Sequence, residues 1–285
     1  MEVLKTVAPI QVGKAGVAPV TIGGTAPIVL IAGPCVIESE EGATQICAAL
    51  QAICSSLGVK LVFKASFDKA NRTSLGAFRG PGLEDGLRVL RNIRARFGVP
   101  ITTDVHEPHQ AESVSELADL LQIPAFLARQ TDLLVACART GSPINLKKAQ
   151  FMAPQSVGSA VAKLMASGAH GVMVTERGTA FGHGDLVVDM RGIPQMRGLG
   201  VPVCFDATHS VQKPGSLGDS TGGDRSMVPF LANGAAGVGV DALFVEVHDN
   251  PDAALSDGPN MLELASLPGV LAKVLAIDRV VRGGK

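Results

Sequence analysis

Eight short apolar runs recur along the chain: 27–33 (PIVLIAG), 59–65 (VKLVFKA), 99–104 (VPITTD), 118–123 (ADLLQI), 143–147 (PINLK), 171–175 (GVMVT), 201–206 (VPVCFD) and 241–247 (DALFVEV). Several are nearly continuous rather than alternating, which predicts parallel strands buried on both faces. Between many of them apolar positions return at helical intervals. Ile46, Leu50, Ile53 and Leu57 form one stripe, Leu83, Leu87, Leu90 and Phe97 a second, and Val157, Val161 and Leu164 a third. Gly58, Gly98 and Gly168 stand where these helices should end, just ahead of the next strand. Eight such βα units predict a single (β/α)8 TIM barrel over 27–285. A doubly wound open sheet is the alternative, weakened because no G-x-G-x-x-G follows the first strand. Residues 1–26 alternate apolar and polar positions around Gly13 and Gly23-Gly24, and predict an N-terminal β-hairpin closing the barrel floor.

Composition narrows the function classes. At 285 residues, 46% hydrophobic and 18% charged, the chain can build a large core as one domain. Its 25 basic and 26 acidic side chains leave a formal net charge of -1, which argues against nucleic acid as a partner but not against local basic pockets. No apolar run approaches the roughly 18 residues of a membrane span, and the start MEVLKTVAPIQVGKAG lacks the apolar core of a secretory signal. Five cysteines, an odd number without framework spacing, fit a reduced, cytoplasmic protein; Cys47 and Cys54 are expected to pack as small apolar groups.

In a barrel of this kind the chemistry lies at the C-terminal ends of the strands, so the polar residues at each strand exit matter most. The first run breaks at Gly33-Pro34 and delivers Cys35. Glu38, Glu40 and Glu41 follow, read as acidic residues opening the first helix, where its dipole favours them. The other exits supply Lys64 and Lys69 with Asn71, Arg72, Thr73 and Ser74; Asp104 and His106; Gln122; Asn145, Lys147, Lys148 and Gln150; Glu176 and Arg177; Asp206 and His209; and Glu246, His248 and Asp257. Taken singly, a lysine here is an ordinary solvated charge and a histidine an ordinary hydrogen-bonded side chain. Ring closure would aim them all into one bowl. Lys64, Lys69, Arg72, Lys147 and Arg177 together would favour anions and exceed what one phosphate needs, so two phosphorylated ligands fit. Cys35, His209, Glu246 and Asp257 mix soft, borderline and hard donors suited to one borderline divalent metal, although their spacing is dispersed.

The motifs AGPCVIES, FKASFDKANRTS, RGPGLEDGL, TDVHEP, QIPAFLARQTDLL, INLKKAQF, ERGTAFGHGDLVVDMR, FDATHSVQ and LFVEVHDNPDAALSDGPNML, in this order over roughly 27–280, resemble the 3-deoxy-D-manno-octulosonate 8-phosphate synthase family. The resemblance implies a homotetrameric (β/α)8 barrel that condenses phosphoenolpyruvate with D-arabinose 5-phosphate in lipopolysaccharide inner-core biosynthesis. By the same resemblance, Lys64, Ser66, Lys147, Gln150 and Arg177 match the phosphoenolpyruvate pocket. Lys69, Asn71, Arg72 and Ser74 match the arabinose 5-phosphate contacts, and Asp104, His106 and Phe126 the shared cavity. Lys64, Lys69, Lys147, His209 and Asp257 are the expected catalytic set. The glycine-rich segment 212–225 matches a mobile loop over the site. The family has a metal-dependent branch with cysteine at the position of Cys35 and a metal-free branch with asparagine. The resemblance therefore implies one divalent ion (Zn, Fe, Mn or similar) per subunit on Cys35, His209, Glu246 and Asp257. The rival is the related 3-deoxy-D-arabino-heptulosonate 7-phosphate synthase, in which a KPRTS-type motif replaces the KANRTS found here.

Overall fold

The computed structural model describes residues 6–216 and 222–283. The eight barrel strands are Val29–Gly33, Leu61–Lys64, Ile101–Asp104, Leu120–Ile123, Ile144–Lys147, Val172–Glu176, Val203–Asp206 and Ala242–His248. Each pairs in parallel with the next, and the eighth pairs with the first through Ala242↔Val29 to Glu246↔Gly33, so the sheet closes on itself. The open-sheet alternative is thereby excluded. All eight predicted runs are strands; six are shortened, and Val172–Glu176 and Ala242–His248 keep the expected length one residue further on.

Alternate residues of each strand serve different cores, because side chains leave a strand on opposite faces. Leu30 and Ala32 of the first strand point outward and join the layer between sheet and helices, with Ile46, Leu50, Leu87 and Leu90. Val29 and Ile31 join an inner cluster with Val62, Leu120, Met173, Cys204, Ala242 and Phe244. The N-terminal hairpin completes that inner cluster. Ile10–Val12 pairs antiparallel with Val20–Ile22, and its four buried residues Ile10, Val12, Val20 and Ile22 plug the barrel from below.

The helices run Glu40–Leu57, Leu83–Phe97, Ala111–Leu117, Thr131–Arg139, Val157–Ala166, Gly192–Arg197, Val228–Val238 and Leu267–Val281. The first begins where Ser39 accepts a hydrogen bond from Gly42 N at 3.0 Å and ends at Gly58, whose φ of 67° suits glycine. Gly98 ends the second helix in the same way. Gly168 comes one residue later than that position, since Ser167 caps the fifth helix. Cys47 and Cys54 are buried in the first helix, and burial pushes both thiols up to about 12, consistent with inert packing groups. Two short antiparallel ribbons follow the sixth and seventh strands, Thr179–Ala180 with Leu186–Val187 and Gln212–Lys213 with Gly222–Gly223. Among the described residues no helix is long and apolar enough to cross a membrane.

Candidate active site at the C-terminal ends of the strands

Above the apolar interior the side chains turn polar. Ser66 donates to Asp104 Oδ2, Gln122 Nε2 to Asp104 Oδ1 at 2.7 Å, Asn145 Nδ2 to Gln122 Oε1 at 2.9 Å, and Thr175 Oγ1 to Asn145 Oδ1 at 2.5 Å. One hydrogen-bonded chain thus runs from the second strand's exit to the sixth strand. It satisfies buried polar groups that would otherwise cost about 1–3 kcal/mol each, and it gives a cavity a rigid floor.

The cavity has a volume of about 400 Å³. Lys64, Lys69, Asn71, Arg72, Asp104, His106, Phe126, Lys147, Gln150, Arg177, His209, Glu246 and Asp257 line it. Its lysines are held by carboxylates. Lys64 Nζ donates to Glu246 Oε1 at 2.6 Å and to the Cys35 carbonyl at 2.8 Å. Lys147 Nζ donates to Asp206 Oδ2 at 2.7 Å and stands 3.7 Å from the centre of the Phe244 ring. Burial opposes the charge on Asp104 and Glu246, but the ammonium groups of Lys64 and Lys69 outweigh it and hold both carboxyls below the ordinary range. Burial likewise opposes the charge on Lys69, and the surrounding Cys35, Glu246, Asp104 and Asp257 overcome it and raise its value well above normal. Burial lowers the values of His106 and Arg177.

Two guanidinium groups at this cavity keep buried N–H groups without a partner: Arg72 Nε and Arg177 Nη1. Arg177 Nη2 is tied to Gln212 Oε1, and Arg72 Nη1 donates to Ser256 Oγ at 2.8 Å. Gln150 Oε1 and His106 Nδ1 are also buried and unpartnered. Buried polar atoms are rarely left unpaired, so these mark places prepared for a ligand.

Cys35 sits just beyond the first strand but is only 1% exposed, covered by the 255–257 segment instead of lining the cavity. Gly33 makes the approach possible, since a Cβ there would fall 1.8 Å from the Lys64 carbonyl oxygen. Cys35 Sγ lies 3.2 Å from Asp257 Oδ2 and 3.3 Å from Ser256 Oγ. Burial, and then the Glu246 charge, push the thiol well up. Cys35, Glu246 and Asp257 bring ligand atoms within 4.8 Å of one another. Glu246 Oε2 is buried without a hydrogen bond, and His209 Nε2 stands 3.7 Å from it. His209 does not join the three-residue cluster, but its Nδ1 is fixed by Asp206 Oδ2 at 2.8 Å. A sulfur, two carboxylates and an adjacent imidazole, with one carboxylate oxygen unsatisfied, fit a borderline divalent ion.

Among the residues expected at the site, Ser66 and Ser74, like Cys35, stand apart from the cavity surface. Ser66 lies beneath it as the support of Asp104, and Ser74 is half-buried and outside the lining. Phe126 lines the cavity and is 53% exposed. Of the expected loop 212–225, Gln212, Pro214 and Gly215 line the cavity, while 217–221 lie outside the described residues. Glu40 and Glu41 open the first helix as expected, but Glu38 does not: its Oε1 accepts from Leu255 N at 2.8 Å and anchors the segment bearing Asp257. The sequence reading assigned no role to Asp206, Thr208 or Ser256. Asp206 joins Lys147 to His209, and Thr208 Oγ1 accepts from Glu246 N at 2.8 Å. The available signal was a short polar residue beside two expected ligands, Thr208 next to His209 and Ser256 next to Asp257.

A closed barrel with anion-seeking guanidiniums and a mixed sulfur–carboxylate corner at its strand ends defines a (β/α)8 enzyme acting on phosphorylated small molecules. The chain belongs to the DAHP synthetase I family, whose model matches residues 7–279. It is 54% identical over 261 residues, 92% of either chain, to a Synechococcus protein named 2-dehydro-3-deoxyphosphooctonate aldolase. Proteins of the same name from Cyanothece and Trichlorobacter lovleyi are 55% and 51% identical over 90% and 93% of this chain, and 94% and 98% of their own.

Proposed function

We propose that the protein condenses phosphoenolpyruvate with D-arabinose 5-phosphate and water, giving 3-deoxy-D-manno-octulosonate 8-phosphate and phosphate, in the pathway to the lipopolysaccharide inner core. The observation that carries this reading is the pair of buried, unpartnered guanidinium N–H groups, Arg72 Nε and Arg177 Nη1, on one cavity. Two arginines with spare donors suit two separate anionic groups. The relatives' shared name supports the eight-carbon product.

In this reading Lys147, Arg177 and Gln150 hold phosphoenolpyruvate, and Asn71 and Arg72 hold the phosphate of the sugar. Ser74 joins them only if the loop closes further. Fixing both ligands in one cavity supplies proximity. C3 of phosphoenolpyruvate attacks the aldehyde carbon, water adds at C2, and the resulting hemiketal phosphate loses phosphate by C–O cleavage. Lys69 stays charged among its carboxylate neighbours and is suited to donate to the aldehyde oxygen as negative charge develops. Cys35, His209, Glu246 and Asp257 would hold one divalent metal, which when bound supplies Lewis acidity to an oxygen in the cavity. The homotetramer and the cytoplasmic location belong to the same proposal; exposed Phe151, Phe181 and Phe230 offer apolar surface for association.

The test is phosphate release from phosphoenolpyruvate with each of two aldehydes. Arabinose 5-phosphate should support turnover and erythrose 4-phosphate should not. Equal turnover with erythrose 4-phosphate would transfer the protein to the heptulosonate reaction.

A further inference from the structure

Ser256 is buried, and its hydroxyl stands among three groups given separate tasks above. Arg72 Nη1 donates to its oxygen at 2.8 Å, Cys35 Sγ lies 3.3 Å away and Asp257 Oδ2 3.5 Å away. The segment that presents it is tied down on both sides. Leu255 N donates to Glu38 Oε1, and the Leu255 carbonyl accepts from Arg72 Nη2 at 3.4 Å. Asp257 next to it has φ 51°, the one left-handed non-glycine among the described residues. Such a conformation persists where the surroundings enforce it.

A serine hydroxyl has one proton and two lone pairs. The guanidinium of Arg72 takes one lone pair, which leaves the proton for Cys35 or Asp257. A sulfur bound to a metal has no proton to give, so its contact with Ser256 then requires the hydroxyl as donor. A cationic donor on the hydroxyl oxygen polarises the O–H and strengthens that donation. In the other direction, Ser256 fixes Nη1 of Arg72 and leaves the buried Nε for an anion.

We infer that Ser256 is a positioning residue that couples the two ends of the cavity, so that a divalent ion at Cys35 and Asp257 and a sugar phosphate on Arg72 raise each other's affinity through its hydroxyl. The inference rests on the assignments of the proposed function. Linkage requires the two effects to be the same factor, and a coupling of roughly tenfold is typical in size.

Cobalt(II) is a suitable ion because thiolate coordination gives a near-ultraviolet band, and the protein has no Trp or Tyr to obscure it. The full-length protein is titrated with Co²⁺, with and without saturating arabinose 5-phosphate, and arabinose 5-phosphate binding is measured by calorimetry with and without Co²⁺. In the wild type each ligand should tighten the other roughly tenfold. In Ser256→Ala both should still bind, with the factor reduced to near one. Ser256→Thr, which keeps a hydroxyl, should restore it, and circular dichroism establishes that each variant is folded. Binding of both ligands to the wild type without mutual effect overturns the inference alone, as does a full factor in folded Ser256→Ala. Failure of the wild type to bind either ligand overturns the proposed function together with it.

Discussion

Asp206 offers a sharp test of how the bowl is held together. Its Oδ2 accepts from Lys147 Nζ at 2.7 Å and His209 Nδ1 at 2.8 Å, while Oδ1 accepts from the backbone of Thr208 and His209. The residue is fully buried and Lys147 nearly so. Asp206→Asn keeps the shape and the Oδ1 contacts but leaves the Lys147 ammonium without its counter-charge. Removing one partner of a buried pair costs about 3–5 kcal/mol. The retained backbone contacts place this variant near the lower end, about 3 kcal/mol, or roughly 6–12 °C in Tm for a chain of this size. The pH dependence is specific. Burial opposes the charge on Asp206, but His209 and Lys147 overcome it and hold the carboxyl below its unfolded value. A group depressed in this way gives its full stability above the unfolded carboxylate pKa of about 3.9, and loses it as pH falls toward the folded value. The gap between wild type and variant should therefore narrow below about pH 4. Asp104 and Glu246 are also held low in the wild type, so the comparison with the variant, which keeps both, is what reports on Asp206. Urea unfolding followed by far-ultraviolet circular dichroism is the assay, since a chain without Trp or Tyr lacks the usual fluorescence signal. A variant as stable as the wild type at pH 7, or a gap unchanged at pH 3, would refute the reasoning.

Arg72→Ala should raise the KM for arabinose 5-phosphate roughly ten- to a hundredfold, since a charge-assisted contact is worth about 1.5–3 kcal/mol; steady-state kinetics with an unchanged KM would remove Arg72 from the clamp. Chelation should abolish turnover and added divalent ion restore it, while Cys35→Ala should lose bound metal by elemental analysis. Full turnover by chelated, metal-free wild type would make Cys35 a structural thiol.

The barrel was legible because each strand is a compact apolar run and each helix a regular stripe, both local patterns. The hairpin was legible for the same reason, as its alternation leaves Ile10, Val12, Val20 and Ile22 facing inward. The bowl followed from topology: once the strands close, Lys64, Asp104, Lys147 and Glu246 must converge. The roles of Glu38 and Ser256 were not legible, because each depends on contacts more than 180 residues away through an irregular segment. Nothing local in GPCVIESEE separates the glutamate that reaches Leu255 from the two that open a helix. Ser74 shows the converse, a motif position that matches while its side chain stays off the cavity surface.

Charge counting along the sequence suggests a strongly cationic bowl, and the structure qualifies this. Lys64 is paired with Glu246, Lys147 with Asp206 and Lys148 with Glu176. Burying these three lysines unpaired would cost far more than a fold of this size has to spare. The carboxylates therefore fix the lysines in place and lower the net field at the same time. What remains to recognise an anion is directional: spare guanidinium N–H groups on Arg72 and Arg177, set by Ser256 and Gln212 respectively. A site built this way selects anions by hydrogen-bond geometry more than by overall charge. In the proposed reading, the neutral residues holding the two arginines, invisible to any count of charges, would therefore decide where the phosphate groups lie.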